Sequence, residues 1–131
     1  MESQVPTRSS TARAWMQLFR PPNLLTVPGD PLAGFLLARL AVGGMPVMSA
    51  WPCILASLLL YMAGLLSNDY FDLEEDKKER PDRPLPSGAV NPRAALTVAV
   101  ILAVLGVGTA FTVFLPTALR TAARSGVVAA A

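Results

Sequence analysis

The sequence contains no histidine, a single cysteine and little charge. Without histidine, the usual general base near neutral pH and the commonest transition-metal ligand are both missing, so any metal must be held by oxygen donors. The lone Cys53 excludes an intramolecular disulfide and, set in an apolar run, reads as a small hydrophobe. Charged residues make up 15% of the 131, against about 25% in soluble domains. Hydrophobic residues make up 53%, and the mean hydropathy is +0.46. A net charge of only +2, with no dense run of Lys and Arg, excludes a phosphate-tracking surface and with it a nucleic-acid partner. What charge there is falls in residues 1–20, 69–93 and 120–124, with only Asp30 and Arg39 elsewhere.

Between these charged segments lie long apolar runs. Residues 47–66 and 94–115 are uncharged throughout, each long enough to cross a hydrocarbon core of about 30 Å at about 1.5 Å per residue. Residues 24–42 make a third candidate span, interrupted by Pro28-Gly29-Asp30-Pro31. Either Asp30 faces protein or a water-filled cavity there, or that stretch is a loop before a shorter helix. Residues 1–13 are polar and read as a disordered tail, lacking the pattern of a signal peptide. From Ala14, apolar Trp15, Leu18 and Phe19 alternate with Gln17 and Arg20, which predicts a short interfacial helix ended by Pro21-Pro22. The fold class is therefore an all-α integral membrane helical bundle. Basic residues cluster before the first span and in the 67–93 connection, which puts the N-terminus and that connection on the cytoplasmic side of a multi-pass protein of the cell's inner membrane. Residues 116–131 form a tail whose Ala-rich end looks more like a stop than a structure.

The chemistry-bearing stretch begins where the second apolar run ends. In Asn68-Asp69-Tyr70-Phe71-Asp72-Leu73-Glu74-Glu75-Asp76, helical spacing aligns Asn68, Asp72 and Asp76 with Asp69 beside them. The segment is predicted to be helical, continuous with the second span and ended by Arg80 at the latest, because Pro81 follows. Of these four oxygen-bearing side chains at a membrane edge, the three carboxylates repel one another unless a cation sits among them. The cation that fits is Mg²⁺, which takes carboxylate oxygens and is completed by water and phosphate. The alternative is a solvated acidic helix end. A loop follows, Arg80-Pro81-Asp82-Arg83-Pro84-Leu85-Pro86-Ser87-Gly88, in which three prolines stiffen the presentation of two guanidinium groups suited to phosphate.

Together, Asn68-Asp69-x-x-Asp72-x-x-x-Asp76 and Arg80-Pro81-x-Arg83-Pro84-Leu85-Pro86-Ser87-Gly88 resemble the first Asp-rich motif and following loop of the UbiA family of intramembrane prenyltransferases. The opening Arg20-Pro21-Pro22-Asn23, with Pro31 and Gly34, looks like that family's first helix, and the resemblance runs from Arg20 to Leu115. It implies a larger bundle of about nine membrane-crossing helices around one cavity. It also implies Mg²⁺-dependent transfer of an isoprenoid chain from a polyprenyl diphosphate to a lipophilic, often aromatic, acceptor within the lipid membrane. In that reading Asn68, Asp72 and Asp76 hold metal, Asp69 and Asp72 are catalytic, and Arg80 and Arg83 bind the diphosphate. Arg20, Asn23 and Asp30 are weaker candidates. The family carries a second Asp-rich motif on a later helix, but no Asp or Glu follows Asp82 here. The chain thus reads as a truncated member, with residues 14–115 the N-terminal part of the domain and residues 116–131 a truncated or frameshifted tail. The competing reading is a membrane remnant without activity. A nucleotide-linked-alcohol phosphotransferase is disfavoured, because Leu73 and Glu74 follow Asp72 where that pattern requires Gly and then Ala-Arg.

Overall fold

The computed structural model describes residues 8–42 and 47–129, and all of its regular elements are helical. They are α1 (Arg8–Phe19), α2 (Pro21–Leu24), α3 (Gly29–Val42), a 3₁₀ turn (Val47–Ala50), α4 (Trp51–Phe71), α5 (Leu73–Glu79) and α6 (Pro92–Ala129). Three stretches are long and apolar enough to cross a membrane: Pro21–Ala41, Trp51–Phe71 and Pro92–Thr112. The chain is thus a multi-pass membrane protein in architecture, a partial helical bundle.

Local chemistry sets where each helix begins. Pro52 occupies the first turn of α4, where a missing N–H is tolerated, so this helix starts later than the apolar run and carries on to Phe71. Pro92 opens α6, and the Asn91 side chain caps it by accepting the Arg93 N–H at 2.9 Å. The first span is not one continuous helix. Residues 25–28 form turns in which the Thr26 N–H and hydroxyl both donate to the Asn23 carbonyl, and the Gly29 N–H donates to that of Thr26. The backbone is satisfied locally, and α3 is a shorter helix of 14 residues, about 21 Å long. Two further expectations need correction. Residues 8–13 belong to α1 rather than to a disordered tail, because Ala12 and Ala14 favour helix and Ala14 and Leu18 are buried; residues 1–7 lie outside the described residues. Likewise α6 passes Leu115 and Pro116 and runs to Ala129, through a stretch rich in the helix formers Ala, Leu and Arg. Residues 130–131 lie outside the description.

Helices α4 and α6 form the main packed pair, and they run antiparallel. Leu66 meets Val90, Ala95 and Ala99 at one end, while Gly106 meets Leu60 and Ala56 at the other. At Gly106 a Cβ would lie 2.9 Å from Leu60 Cγ and 3.3 Å from the Ala56 carbonyl oxygen. A side chain there requires Leu60 to shift and the α4 backbone to give by a few tenths of an ångström, and such close backbone approach is what favours helix association in lipid. A cluster of buried apolar residues gathers Ala14 and Leu18 of α1, Leu66 of α4, Leu85 and Val90 of the connection, and Ala95 and Ala99 of α6. This core lies one turn from Asp69, so the segment carrying the charges is anchored to the bundle rather than floating above it. Elsewhere Leu37 and Leu40 of α3 and Val104 and Phe111 of α6 are exposed, as befits helices that face lipid or further helices.

Candidate active site

Helix α4 ends at Phe71, and Asp72 interrupts the helical path with ψ near 2° before α5 begins. The break is a single residue. The Asp72 N–H still donates to Asn68 (2.9 Å), that of Asp76 to Asp72 (2.8 Å) and that of Arg80 to Asp76 (2.8 Å). The expected continuous helix is therefore two helices joined at Asp72, with α5 ending at Glu79, just before Arg80-Pro81. Asp69 and Asp76 are seven residues apart, about two turns, and both are buried, at 7% and 6% exposure. Asn68 and Asp72 are exposed. The single stripe anticipated from spacing thus divides: Asp69 and Asp76 turn inward, while Asp72 remains in water yet within electrostatic range of Asp69.

The two buried acids are held by arginines from two different segments. Arg20, between α1 and α2, donates through Nη2 to Asp69 Oδ1 at 3.0 Å. Arg83, from the loop, donates through Nη1 to Asp76 Oδ2 at 2.7 Å and lies 3.9 Å from Asp69 Oδ1. A buried carboxylate without such a partner is strongly destabilising, so the pairs are a condition for burying the acids at all. Arg20 adopts φ 47°, the only positive φ at a non-glycine position among the described residues. The Arg20 carbonyl accepts the Asn23 N–H at 2.9 Å, which fixes the bend between α1 and α2 and aims the guanidinium at Asp69.

The loop that carries Arg83 is a series of turns. Bonds from the Arg83 N–H to Arg80, Ser87 to Arg83, Gly88 to Leu85 and Val90 to Pro84 fold it onto itself, and buried Leu85 and Val90 root it in the core. Gly88 sits at φ 75°, a conformation that side chains resist. By contrast, the 2.6 Å Lys77–Glu74 pair on the outer face of α5 is exposed. Its hydrogen bond holds the Glu74 carboxyl below the usual range, but such a surface pair adds little to stability.

Between the end of α1, the end of α4 and the loop lies a cavity of about 530 Å³. It is lined by Gln17, Leu18, Arg20, Asp69, Asp76, Glu79 and the loop from Arg80 to Pro86. Of the residues singled out from sequence, the structure gathers Arg20, Asp69, Asp76, Arg80 and Arg83 here. Asn68 and Asp72 lie on the exposed side of the same segment. Asn23 and Asp30 do not line the cavity; Asp30 is exposed in the first turn of α3, where the helix dipole favours a carboxylate. Sequence reasoning missed Gln17, Leu18 and Glu79, and it placed Asp82 in the loop without assigning it to the site. No local spacing links Arg20 and the helix before it to a carboxylate 49 residues further along the chain. A second cavity of about 510 Å³, beside Tyr70, Phe71 and Arg93, holds only one acid, Glu74.

Among the described residues no three His, Cys, Asp or Glu side chains converge into a ready-made metal cage. Mg²⁺ does not need one: it is held by one or two carboxylates, with water and phosphate completing the octahedron. A donor set made only of carboxylate and amide oxygens, with Asp72 and Asn68 exposed on the segment whose Asp69 and Asp76 line the cavity, fits that ion and not a thiolate- or imidazole-seeking one.

The model of the UbiA prenyltransferase family matches residues 31–130. Digeranylgeranylglyceryl phosphate synthase of Methanopyrus kandleri is 43% identical over 105 residues, covering 75% of this chain and 35% of the relative. The synthases of the same name from Methanospirillum hungatei and Thermococcus kodakarensis are 41% and 38% identical over 98 residues each, covering 33% and 34% of those relatives. The chain therefore spans about a third of the length of the curated relatives it matches. No solved structure matches it.

Proposed function

Because this chain belongs to the UbiA prenyltransferase family, we propose that the cavity between α1, α4 and the Arg80–Pro86 loop receives the diphosphate of a polyprenyl donor, whose isoprenoid chain passes to a glyceryl phosphate lipid in the membrane. The observation that carries this reading is the pairing of two buried carboxylates with two arginines on the wall of a cavity of about 530 Å³, at the ends of membrane-crossing helices. The relatives' shared name, which describes a prenylated glyceryl phosphate, favours such an acceptor over an aromatic ring.

In the reaction, Arg80 and Arg83 bind diphosphate oxygens, and Arg80 has no carboxylate partner among the described residues. Asn68, Asp72 and Asp76 would hold Mg²⁺, and the ion would supply positive charge to offset the negative charge of the leaving diphosphate. Asp69, fixed by Arg20, keeps the acidic edge of α4 in register with the loop. The isoprenoid tail lies along the exposed apolar surfaces of the spans, which accounts for placing this chemistry in a membrane.

No carboxylate side chain follows Asp82, so the chain supplies one acidic wall of the site. Membranes containing it alone are expected to transfer no isoprenoid from labelled geranylgeranyl diphosphate. Adding a second polypeptide with the remaining helices of a family member is expected to bring Mg²⁺-dependent labelling of lipid glyceryl phosphate. Labelling of neither that lipid nor any other acceptor in the complemented membranes would sink the reading.

The site lies on the cytoplasmic side, following the arginines before the first span and the Lys and Arg of residues 77–93. A cysteine placed at exposed Ser87 should react with an impermeant thiol reagent only in inverted vesicles. Labelling from the outside of intact cells would reverse the topology.

A further inference from the structure

The second cavity, of about 510 Å³, shares no lining residue with the first. Its wall includes Tyr70 and Phe71 at the end of α4, Glu74 near the start of α5, and Asn91 and Arg93 at the start of α6. Its level in the membrane follows from the spans. One apolar span, Trp51–Phe71, ends in this wall, and another, Pro92–Thr112, begins in it. Leu66, Val90 and Ala95 belong to one buried cluster, which keeps the two ends level. The cavity therefore opens where two antiparallel helices leave the hydrocarbon, at the depth of the lipid headgroups.

Three kinds of group meet there. The backbone of Arg93 is engaged, its N–H by Asn91 Oδ1 at 2.9 Å and its carbonyl by the Thr97 hydroxyl at 2.8 Å. Its exposed guanidinium has no ion-pair partner among the described residues. Such a group suits phosphate, and the dipole of α6 favours an anion at the same place. Glu74 accepts Lys77 through Oε1 at 2.6 Å, which leaves Oε2 without a partner among the described residues. Tyr70 and Phe71 lie edge to face with ring centroids 5.6 Å apart, and Phe71 is 76% exposed. Aromatic faces attract an ammonium group, as a carboxylate oxygen does. A purely anionic headgroup would bring nothing to Glu74, and a soluble phosphate would leave Phe71 in water. We propose that this cavity seats a zwitterionic phospholipid headgroup, its phosphate on Arg93 and its ammonium group between Glu74 and the rings of Tyr70 and Phe71. The seated lipid bridges the end of α4 to the start of α6. Because the two cavities share no residue, the proposal does not depend on the diphosphate reading.

Native mass spectrometry of the detergent-solubilised 131-residue chain tests this, with one lipid added at a time at matched concentration. The probes are phosphatidylethanolamine, phosphatidylglycerol and diacylglycerol with identical chains, and free phosphoethanolamine as competitor. The parent is expected to retain phosphatidylethanolamine about tenfold better than diacylglycerol, the worth of one charge-assisted contact. It should also retain it better than phosphatidylglycerol. Arg93→Gln should lose the tenfold advantage, and Glu74→Gln should bring the two phospholipids level. Phe71→Leu should weaken phosphatidylethanolamine about threefold, as an exposed contact between a cation and a ring predicts. Arg39→Gln, exposed in the last turn of α3 and outside the cavity wall, should change nothing. Full retention of phosphatidylethanolamine by Arg93→Gln, or equal retention of the two phospholipids by the parent, would overturn the proposal. Displacement of the lipid by equimolar phosphoethanolamine would make the ligand a soluble phosphate instead. Release of the lipid on adding a polypeptide with the remaining helices of a family member would make the cavity a seam between helices, which equally overturns it.

Discussion

Arg83→Met is expected to destabilise the folded chain by about 3 kcal/mol, the cost of stripping one partner from a buried ion pair. Methionine keeps much of the apolar stem that arginine lays along the cavity wall, so packing is largely preserved and the lost charge dominates. What remains is Asp76, with a side chain only 9% exposed, facing Asp69 with no cation of its own. The double variant Asp76→Leu with Arg83→Met should recover most of the loss, because replacing both members of a buried pair by apolar groups is often neutral. Lys77→Met provides the contrast. Its partner Glu74 is 81% exposed, and the change is expected to leave stability at the parent's value within error. Reversible SDS titration in mixed micelles measures all three. A loss for Arg83→Met no greater than that for Lys77→Met would mean that water, not Arg83, compensates Asp76.

The membrane architecture and the family were legible in the sequence because both depend on local pattern. Runs of twenty or more uncharged residues need no tertiary information to be recognised, and the acidic and arginine-bearing segments between Asn68 and Gly88 are contiguous in the chain. Element boundaries were legible where a proline decides them, as at Pro81. They were not where two signals competed. The third uncharged run ends at residue 115, yet α6 continues to Ala129, and of the two readings of the interrupted first span the one with a shorter helix holds, its turns closing their hydrogen bonds locally.

The division of the acidic stripe was not legible. Helical spacing places Asn68, Asp72 and Asp76 on one edge, but which of them is buried depends on what packs opposite. Here Arg20 and Arg83 do, and they draw in Asp69 and Asp76 while Asp72 stays in water. Arg20 illustrates the limit most plainly. Its position before two prolines marks a bend, but only the packing of Ala14 and Leu18 against Leu66, Leu85 and Val90 carries that bend to Asp69.

That division leads to the largest functional effect expected. In membranes complemented with the remaining helices, Asp72→Ala should lower prenyl transfer by about 10²–10³-fold, the usual loss when one group that stabilises developing charge is removed. Asp72 is the carboxylate of this motif left uncommitted for the role. Asp69 and Asp76 are already committed to arginines, whereas Asp72 is exposed, has no ion-pair partner among the described residues and interrupts the helix beside the cavity. Because its side chain supports no buried contact, Asp72→Ala should leave stability within about 0.5 kcal/mol of the parent, as surface changes usually do. Asp76→Ala, in contrast, should depress transfer and stability together, since it strands Arg83. Glu75→Ala, on the exposed face of α5, should change neither. Transfer assays with labelled geranylgeranyl diphosphate, paired with SDS titration of each variant, separate these cases. Full transfer by Asp72→Ala, with activity lost only where stability is also lost, would show that Asp72 is a solvated helix-end residue and that catalysis depends on the buried acids alone.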